Sequence, residues 1–557
     1  MKSRKDRYHR PGLPVLLAAL LLAGPAPGQD WADPEPIPMD AAALPEKLED
    51  VATPSAVPGG QPCCCCDGAS SFDWSKVPVI LTLPPLGNAP IVPTGPGYYS
   101  LMDVLTGTYR QKPPQYGYPR FGLWADCFFN ANFKYLDNPK NTDHDYFDCL
   151  HRIHIGEKWL FSTGGSFWWR HENEVNSRLS GFNNNYDLFR VRTYGDLSYL
   201  DKFRLFVEFI DAQSLNQNLP PLVIDRNFGD FLNAFIDVKV AEIADQPVYV
   251  RGGRQELLLG SQRLISPLEW ANTRRTFQGV RAFRQGEKFE THLFWVQPVI
   301  PNPTRLDSID NNQNFAGFWN TYKPRAGTTL DAYYLFLDNT NTLNRLGLEV
   351  APYNVSTLGT RYYRNFEQRW LVDVELMYQL GEQDGESTAA GASTCGLGYH
   401  SDRLPWDPTF WVYYDYASGT NSPDGETVNT FRQLFPFGHY YLGWLDLVAR
   451  QNIHDANAHL YLFPNKWIMV WLQYHHFELA SARDALYSAG GVPLRRDPTG
   501  AAGTNVGDEL DLILNFHLGK HADIVVGYSK LYQGSFLAQT GPGPSPELFF
   551  LQYSYRW

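Results

Sequence analysis

The stretch Phe203-Arg204-Leu205-Phe206-Val207-Glu208-Phe209 decides the reading of this chain. Positions 203, 205, 207 and 209 are apolar, and Arg204 and Glu208 fall between them. Successive side chains of a strand point to opposite faces, so this segment offers one face to an apolar medium and one to water. The same alternation recurs to the end of the chain. Phe189 and Val191 stand opposite Arg190 and Arg192, and Trp370, Val372, Val374, Leu376 and Tyr378 opposite Asp373, Glu375 and Gln379. Leu510, Leu512, Leu514 and Phe516 likewise stand opposite Glu509, Asp511 and Asn515.

Working outward, candidate strands start near Tyr146, Trp159, Tyr186, Phe203, Phe231, Val248, Thr276, Lys288, Asn312, Thr328, Val355, Arg369, Ala392, Pro408, Ala456, Lys466, Gly507 and Ala522, with a last one ending at Trp557. That makes nineteen. Bacterial single-chain membrane barrels have even strand numbers, so eighteen are predicted, and the turn-rich segment near Ala392 is the one to discard. A soluble β-sandwich also alternates, but three features favour a membrane barrel. The strands are longer than the usual five or six residues of globular ones. Aromatic runs such as Phe167-Trp168-Trp169, Phe318-Trp319 and Phe410-Trp411-Val412-Tyr413-Tyr414 suit interfacial girdles. The final strand carries Phe549, Leu551, Tyr553, Tyr555 and Trp557 on one face, which resembles the signal read by the barrel-assembly machinery.

Composition agrees with this class. Of 557 residues 15% are aromatic and 19% charged, the latter below the roughly 25% of soluble domains. Mean hydropathy is −0.35, and beyond the N-terminus no run approaches the ~20 apolar residues of a spanning helix. A helical membrane protein is excluded. Lys2, Arg4, Lys5, Arg7 and Arg10 precede the apolar run Leu13 to Ala23, the form of a signal peptide over residues 1–28. Its removal leaves 42 basic against 58 acidic residues, net −16, a poor charge for nucleic-acid binding.

Residues 29–115 read as a Pro-rich, Cys-containing, flexible periplasmic extension, 116–144 as a lead-in, and 145–557 as the barrel. Proline at this density blocks helix interiors and central strands. Cys63 to Cys66 are consecutive and lack the Cys-x2-Cys spacing of zinc sites, so they read as an oxidisable tract. Cys127 and Cys149 could pair, leaving Cys395 over.

The densest chemistry lies between Arg251 and Arg284, where Arg251, Arg254, Arg263, Arg274, Arg275, Arg281 and Arg284 face only Glu256 and Glu269, a net charge of +5. Guanidinium groups stay ionised and bind carboxylates bidentately, and a ring of them in a constriction favours anions. The competing reading is that they brace the barrel against acids such as Asp237, Asp331, Asp373 or Glu375.

The runs Gly253-Arg254-Gln255-Glu256-Leu257, Gly260-Ser261-Gln262-Arg263-Leu264 and Trp270-Ala271-Asn272-Thr273-Arg274-Arg275-Thr276-Phe277 resemble the signature of the alginate export family of outer-membrane porins. Phe435 to Gly443 and Gln451 to Asp455 also resemble a loop of that family, and the likeness covers roughly residues 145–557. It implies an eighteen-stranded barrel in the cell outer membrane with an arginine-lined constriction for a polyuronate. The arginines implied are Arg254, Arg263, Arg274 and Arg275; Arg251 and Arg281 share their window, and Arg190, Arg192 and Arg204 are lumenal candidates from alternation.

The expected partners are an anionic saccharide and outer-membrane lipid, with no cofactor. A general porin for small anions is the nearest alternative, and a structural envelope protein the next. The same-face pair Asp373 and Glu375, and Asp508, Glu509 and Asp511, have the residue types for glycoside hydrolysis, but such pairs are ordinary lumenal polar groups, and the chain is read as not an enzyme. His475-His476 and His151 with His154 lack a third metal ligand.

Overall fold

A computed structural model describes residues 72–557 except 109–110, 112, 125–126, 344–349 and 423–426. The signal-peptide reading and the Cys63 to Cys66 tract lie outside the described residues.

Eighteen long strands close into one antiparallel barrel. In chain order they are β1 Trp159–Val175, β2 Asn184–Tyr199, β3 Phe203–Leu215, β4 Asn227–Ile243, β5 Gln246–Gln255, β6 Phe277–Gln285, β7 Phe289–Ile300, β8 Gln313–Arg325 and β9 Thr328–Asn339. The second half comprises β10 Tyr353–Phe366, β11 Trp370–Gln383, β12 Glu386–His400, β13 Thr409–Ala417, β14 Ile453–Asn465, β15 Ile468–Leu479, β16 Asn505–Gly519, β17 Ala522–Gln533 and β18 Glu547–Arg556. Each pairs with its neighbour, and β18 returns to β1 with Ser166 opposite Arg556 and Val175 opposite Glu547. Closure leaves no sheet edge, so every strand finds its hydrogen bonds within the wall, as a bilayer demands.

The predicted strand number holds, but the discarded segment was the wrong one. Ala392 lies within β12, fully paired to β11 and β13. Its glycines and small residues look turn-like but sit where large neighbours need room: a side chain on Gly396 or Gly398 would meet the Tyr413 or Trp411 ring within 2.5 Å. The segment at Tyr146 is the one outside the barrel, forming a 3-10 turn at Asp148–Leu150 and a three-residue strand at Ile153–Ile155 against β1.

Alternation reads through directly to the two faces. On β3, Arg204, Phe206, Glu208 and Ile210 are buried, and Leu205 and Phe209 are exposed. On β11, Asp373, Glu375 and Gln379 are buried while Trp370, Leu376 and Tyr378 are about half exposed. Charged groups inside and apolar groups outside is the inverse of a soluble protein, and it fits a wall whose outer medium is lipid. Outward aromatic pairs mark the end with the short turns: Trp159 with Tyr199 at 4.8 Å, Phe289 with Tyr322 at 4.8 Å and Trp370 with Tyr399 at 4.9 Å. The aromatic runs singled out in the sequence divide between the faces. Trp168, Trp319, Trp411 and Tyr413 point inward and are buried, while Phe318, Phe410 and Tyr414 point outward, because consecutive aromatics on a strand must split.

Tight turns at 200–202, 244–245, 286–288, 326–327, 367–369, 466–467 and 520–521 lie at one end, and the connections 216–226, 256–276, 418–452 and 480–504 at the other. Short turns are periplasmic in such barrels, which sets the orientation. Two of the long connections fold back into the lumen. Leu257, Leu259, Leu264 and Ile265 pack in one buried cluster with Phe437, Tyr440 and Tyr441 and with wall residues Trp319 and Trp411.

The described residues of 77–93, 117–124 and 127–133 also pack against the inside of the barrel, where the sequence had suggested a flexible extension up to 115, while the helix Leu101–Thr106 between them has no buried residue. Leu81 and Phe128 to Phe129 are buried against wall residues Phe206 and Phe235. Proline-rich chain cannot join the sheet, and its free main-chain groups bond to wall side chains instead. Among the described residues no disulfide joins Cys127 to Cys149.

Candidate functional site: the arginine-lined lumen

Inward parity places arginines on most of the strands from β1 to β6. Arg170 on β1, Arg190 and Arg192 on β2, Arg204 on β3, Arg251 on β5 and Arg281 on β6 are all buried, and Arg251 and Arg281 face each other in register. Each is held by a partner on the wall or the inner loop. Arg170 donates to Glu172 at 2.5 Å and Arg192 to Glu208 on β3 at 2.6 Å. Arg204 grips Asp196 with two bonds of 2.8 Å, and Arg251 grips Asp237 with bonds of 2.7 and 2.9 Å. These are bidentate geometries that lysine could not form. Arg281 differs, since its guanidinium meets the Nδ1 of His292 at 2.9 Å, and His292 in turn bonds Glu290, which accepts from Lys323.

The connection 256–276 brings the remaining arginines in from the opposite end. Arg263 donates to Asp373 at 2.7 Å and to Glu375 at 3.0 Å on β11, its guanidinium lying 4.4 Å over the Tyr441 ring. Arg361 completes the cluster by donating to the other oxygen of Asp373 at 2.7 Å. Arg274 pairs with Glu256 and Glu269, and Arg190 with Glu269. Asn233 donates to both Glu208 and Glu256, tying the β2–β4 wall to this loop. Arg275 bonds the carbonyls of Ser266 and Pro436, bridging the two infolded connections. The loop is fixed tightly enough to hold Gln262, Leu268 and Arg274 in left-handed backbone. Gly260, at φ +55°, approaches Trp319 so closely that a Cβ would lie 2.2 Å from its ring.

Of the bracing partners anticipated from the sequence, Asp237, Asp373 and Glu375 are in contact with arginines, while Asp331 accepts instead from Trp319 at 3.3 Å and Thr321 at 2.5 Å. Arg254 stands apart. The sequence bet placed it in the lumen, but it lies opposite Ala234 in the ladder, off the inward parity of Arg251 and Gln255, with its guanidinium 3.2 Å from Asp230 at the long-loop end. Alternation also offered Arg170 and Arg361, which the sequence reading passed over; Arg361 and Tyr363, for instance, share one face of β10. Arg450, in the connection 418–452, donates to Asp415 at 2.6 Å and carried no such signal. Of the histidines, His475 faces the lumen on Asp455 at 2.9 Å and His476 faces outward on Asp508 at 2.9 Å.

Three features define what this lumen can do. Arg170, Arg190, Arg192, Arg251, Arg263 and Arg281 each keep a buried N–H with no acceptor among the described residues. Their charges are largely matched by acids, so the wall can exchange one carboxylate for another without isolating a buried cation. Between loop, wall and N-terminal segment lies a small cavity of about 30 Å³ lined by Trp168, Trp270, Phe437, His439, Trp444 and Phe550, with Arg170 stacked 3.4 Å over Trp270. Planar aromatic faces beside guanidinium donors suit ring-shaped polar solutes.

Residues 160–550 match the family model for alginate export. The chain belongs to the alginate export family. This alginate export barrel is thus an outer-membrane channel, and the residues quoted for the resemblance form its inner loop. Among solved structures, OccD3 (OpdP) of Pseudomonas aeruginosa aligns at TM-score 0.48 and 10% identity, over 71% of this chain and 91% of its own. OpdQ of the same organism aligns at TM-score 0.48 and 12% identity, over 71% and 97%. OccAB4 of Acinetobacter baumannii aligns at TM-score 0.44 and 10% identity, over 71% and 98%. No curated protein matches the chain.

Proposed function

We propose that this channel passes an anionic saccharide, a polyuronate or its oligomers, along the inward arginines of β1 to β6 and of the inner loop. The observation that carries the reading is the row of Arg170, Arg190, Arg192, Arg251 and Arg281, each with a spare buried N–H beyond its internal partner. A solute carboxylate takes the spare donor first and then substitutes for the resident Glu or Asp, so that binding at each step is met by release at the last. Sugar rings slide over Trp270 and Trp168 as they do so. Arg281, whose guanidinium meets the His292 imidazole, supplies charge that no carboxylate cancels in that bond. For assembly, the outward aromatic face of β18 is the surface proposed to meet the barrel-assembly machinery.

The test is current noise from single channels in a planar bilayer as an oligouronate is titrated in. Saturable block, weakened several-fold in Arg281→Gln, supports the reading. Block by a neutral oligosaccharide of equal length with equal affinity contradicts it and favours a general porin.

A further inference from the structure

Resting on the channel reading above, we propose that the segments 77–93, 117–124 and 127–133 form a strap that shuts the lumen near its short-turn end, and that the solute passes only when the strap is displaced.

The strap crosses the barrel from wall to wall. The Val79 carbonyl accepts from Arg204 on β3, and ten residues later the Ala89 carbonyl accepts from Trp411 on β13. Those strands lie on opposite sides of an eighteen-stranded ring, and ten extended residues reach ~33 Å, enough to cross the lumen. Between them Gly87 lies directly on the inner-loop cluster: its N–H donates to the Tyr441 hydroxyl, and a Cβ there would lie 2.3 Å from Arg263 and 2.4 Å from Asp373. The chain then comes back across. Leu123 donates to Asn515 on β16, Pro119 accepts from Arg556 on β18, and the Phe129 carbonyl accepts from Arg204 while its ring packs on Phe206 and Phe235.

Three kinds of contact hold the strap. Wall side chains bond its main-chain carbonyls and amides, Tyr118 donates to the Trp557 carbonyl at 2.7 Å, and Phe121, Phe128 and Phe129 pack among buried wall residues. The described strap has no strand pairing with the barrel, so it can leave without breaking the wall's ladder. Its carbonyls occupy donors of Arg204, Arg556 and Trp411 that hydroxyl and carboxylate oxygens of a saccharide would also accept from. Solute arriving in the lumen therefore competes for the bonds that keep the strap in place.

A disulfide tests this in the full-length chain. The Ile91 N–H donates to Thr409 Oγ1 at 3.2 Å, so Ile91→Cys with Thr409→Cys places a cysteine of the strap against one of the wall. Conductance and oligouronate flux into liposomes are read for the oxidised and reduced pair, with cross-linking measured by mass, and for wild type through the same redox cycle. The expected result is at least a tenfold drop on oxidation, reversed by dithiothreitol and absent in wild type. Equal conduction by the fully cross-linked and reduced forms overturns the strap while leaving the channel reading standing. Phe129→Ala, which trims a strap anchor and leaves the wall intact, is expected to raise open probability several-fold, and no change would likewise count against the proposal. Silence in the reduced pair and in Phe129→Ala alike overturns the channel reading with it.

Discussion

An arginine buried in a lumen is costly unless a carboxylate meets it, and the side chains here are matched pair by pair. Arg251 with Asp237 is one fully enclosed pair, with neither side chain more than 1% exposed. Removing one partner strands the other, so Arg251→Met is expected to lower unfolding free energy by ~3–5 kcal/mol, and Arg251→Met with Asp237→Leu by far less. Urea unfolding in lipid vesicles checks both; equal losses would show that the pair is not coupled. Much of this was legible from parity alone: Arg190, Arg192, Arg204, Arg251 and Arg281 all fall on the inward side that alternation assigns. Arg254, three residues from Arg251, falls on the other face by the same count; the family resemblance, not parity, had pointed to it. Which acid would meet which arginine depends on register and loop folding, and no spacing in the chain encodes that. At the periplasmic end His151, stacked on Phe133 at 3.6 Å, is held down to about 4 by burial, with Asp145 opposing the shift and His521 adding to it. The folded state thus binds this proton less readily than the unfolded chain. Stability from this group is intact above its ordinary value of 6.5 and is lost as pH falls toward 4. Denaturation midpoints between pH 7 and 4.5 should fall less in His151→Phe than in wild type.

At the scale of elements, the strands were largely written in the sequence, since period-two patterning sets both existence and facing. The one exchange, Ala392 for Tyr146, shows the limit: small residues in β12 make room for Trp411 and Tyr413, which only the paired strand reveals. The outer faces should behave as lipid contacts. Leu376 lies mid-strand and 53% exposed, and Leu376→Arg is expected to cost ~2–4 kcal/mol at such a depth, measured by vesicle refolding. A cost near zero would place this face in water. The infolded connection 256–276 was legible as a charged cluster but not as a plug of apolar core, because loop apolarity carries no period. Gly260→Val forces a β-branched residue into left-handed backbone against Trp319, at ~1–3 kcal/mol. It should loosen the loop, seen as increased protease cleavage there and noisier current. The N-terminal strap had no legible signal beyond what proline excludes.

Over the whole molecule the lumen is polarised across its width. Arginines with their paired carboxylates line β1 to β6, whereas β13 to β16 carry carboxylates and histidines such as Asp415, Asp455, His475, Glu509 and Asp511 and no arginine of their own. A solute carrying carboxylates on one edge and hydroxyls on the other would be oriented by that asymmetry. Family membership and barrel architecture fix the class of machine, while the solute is a matter of these side chains. The most direct measurement is the reversal potential in a tenfold potassium chloride gradient, for wild type and for Arg190→Gln with Arg281→Gln. Anion selectivity that declines toward neutrality in the double variant is the result the arginine-lined passage predicts. Cation selectivity in wild type, or a reversal potential the two substitutions leave unmoved, would contradict it.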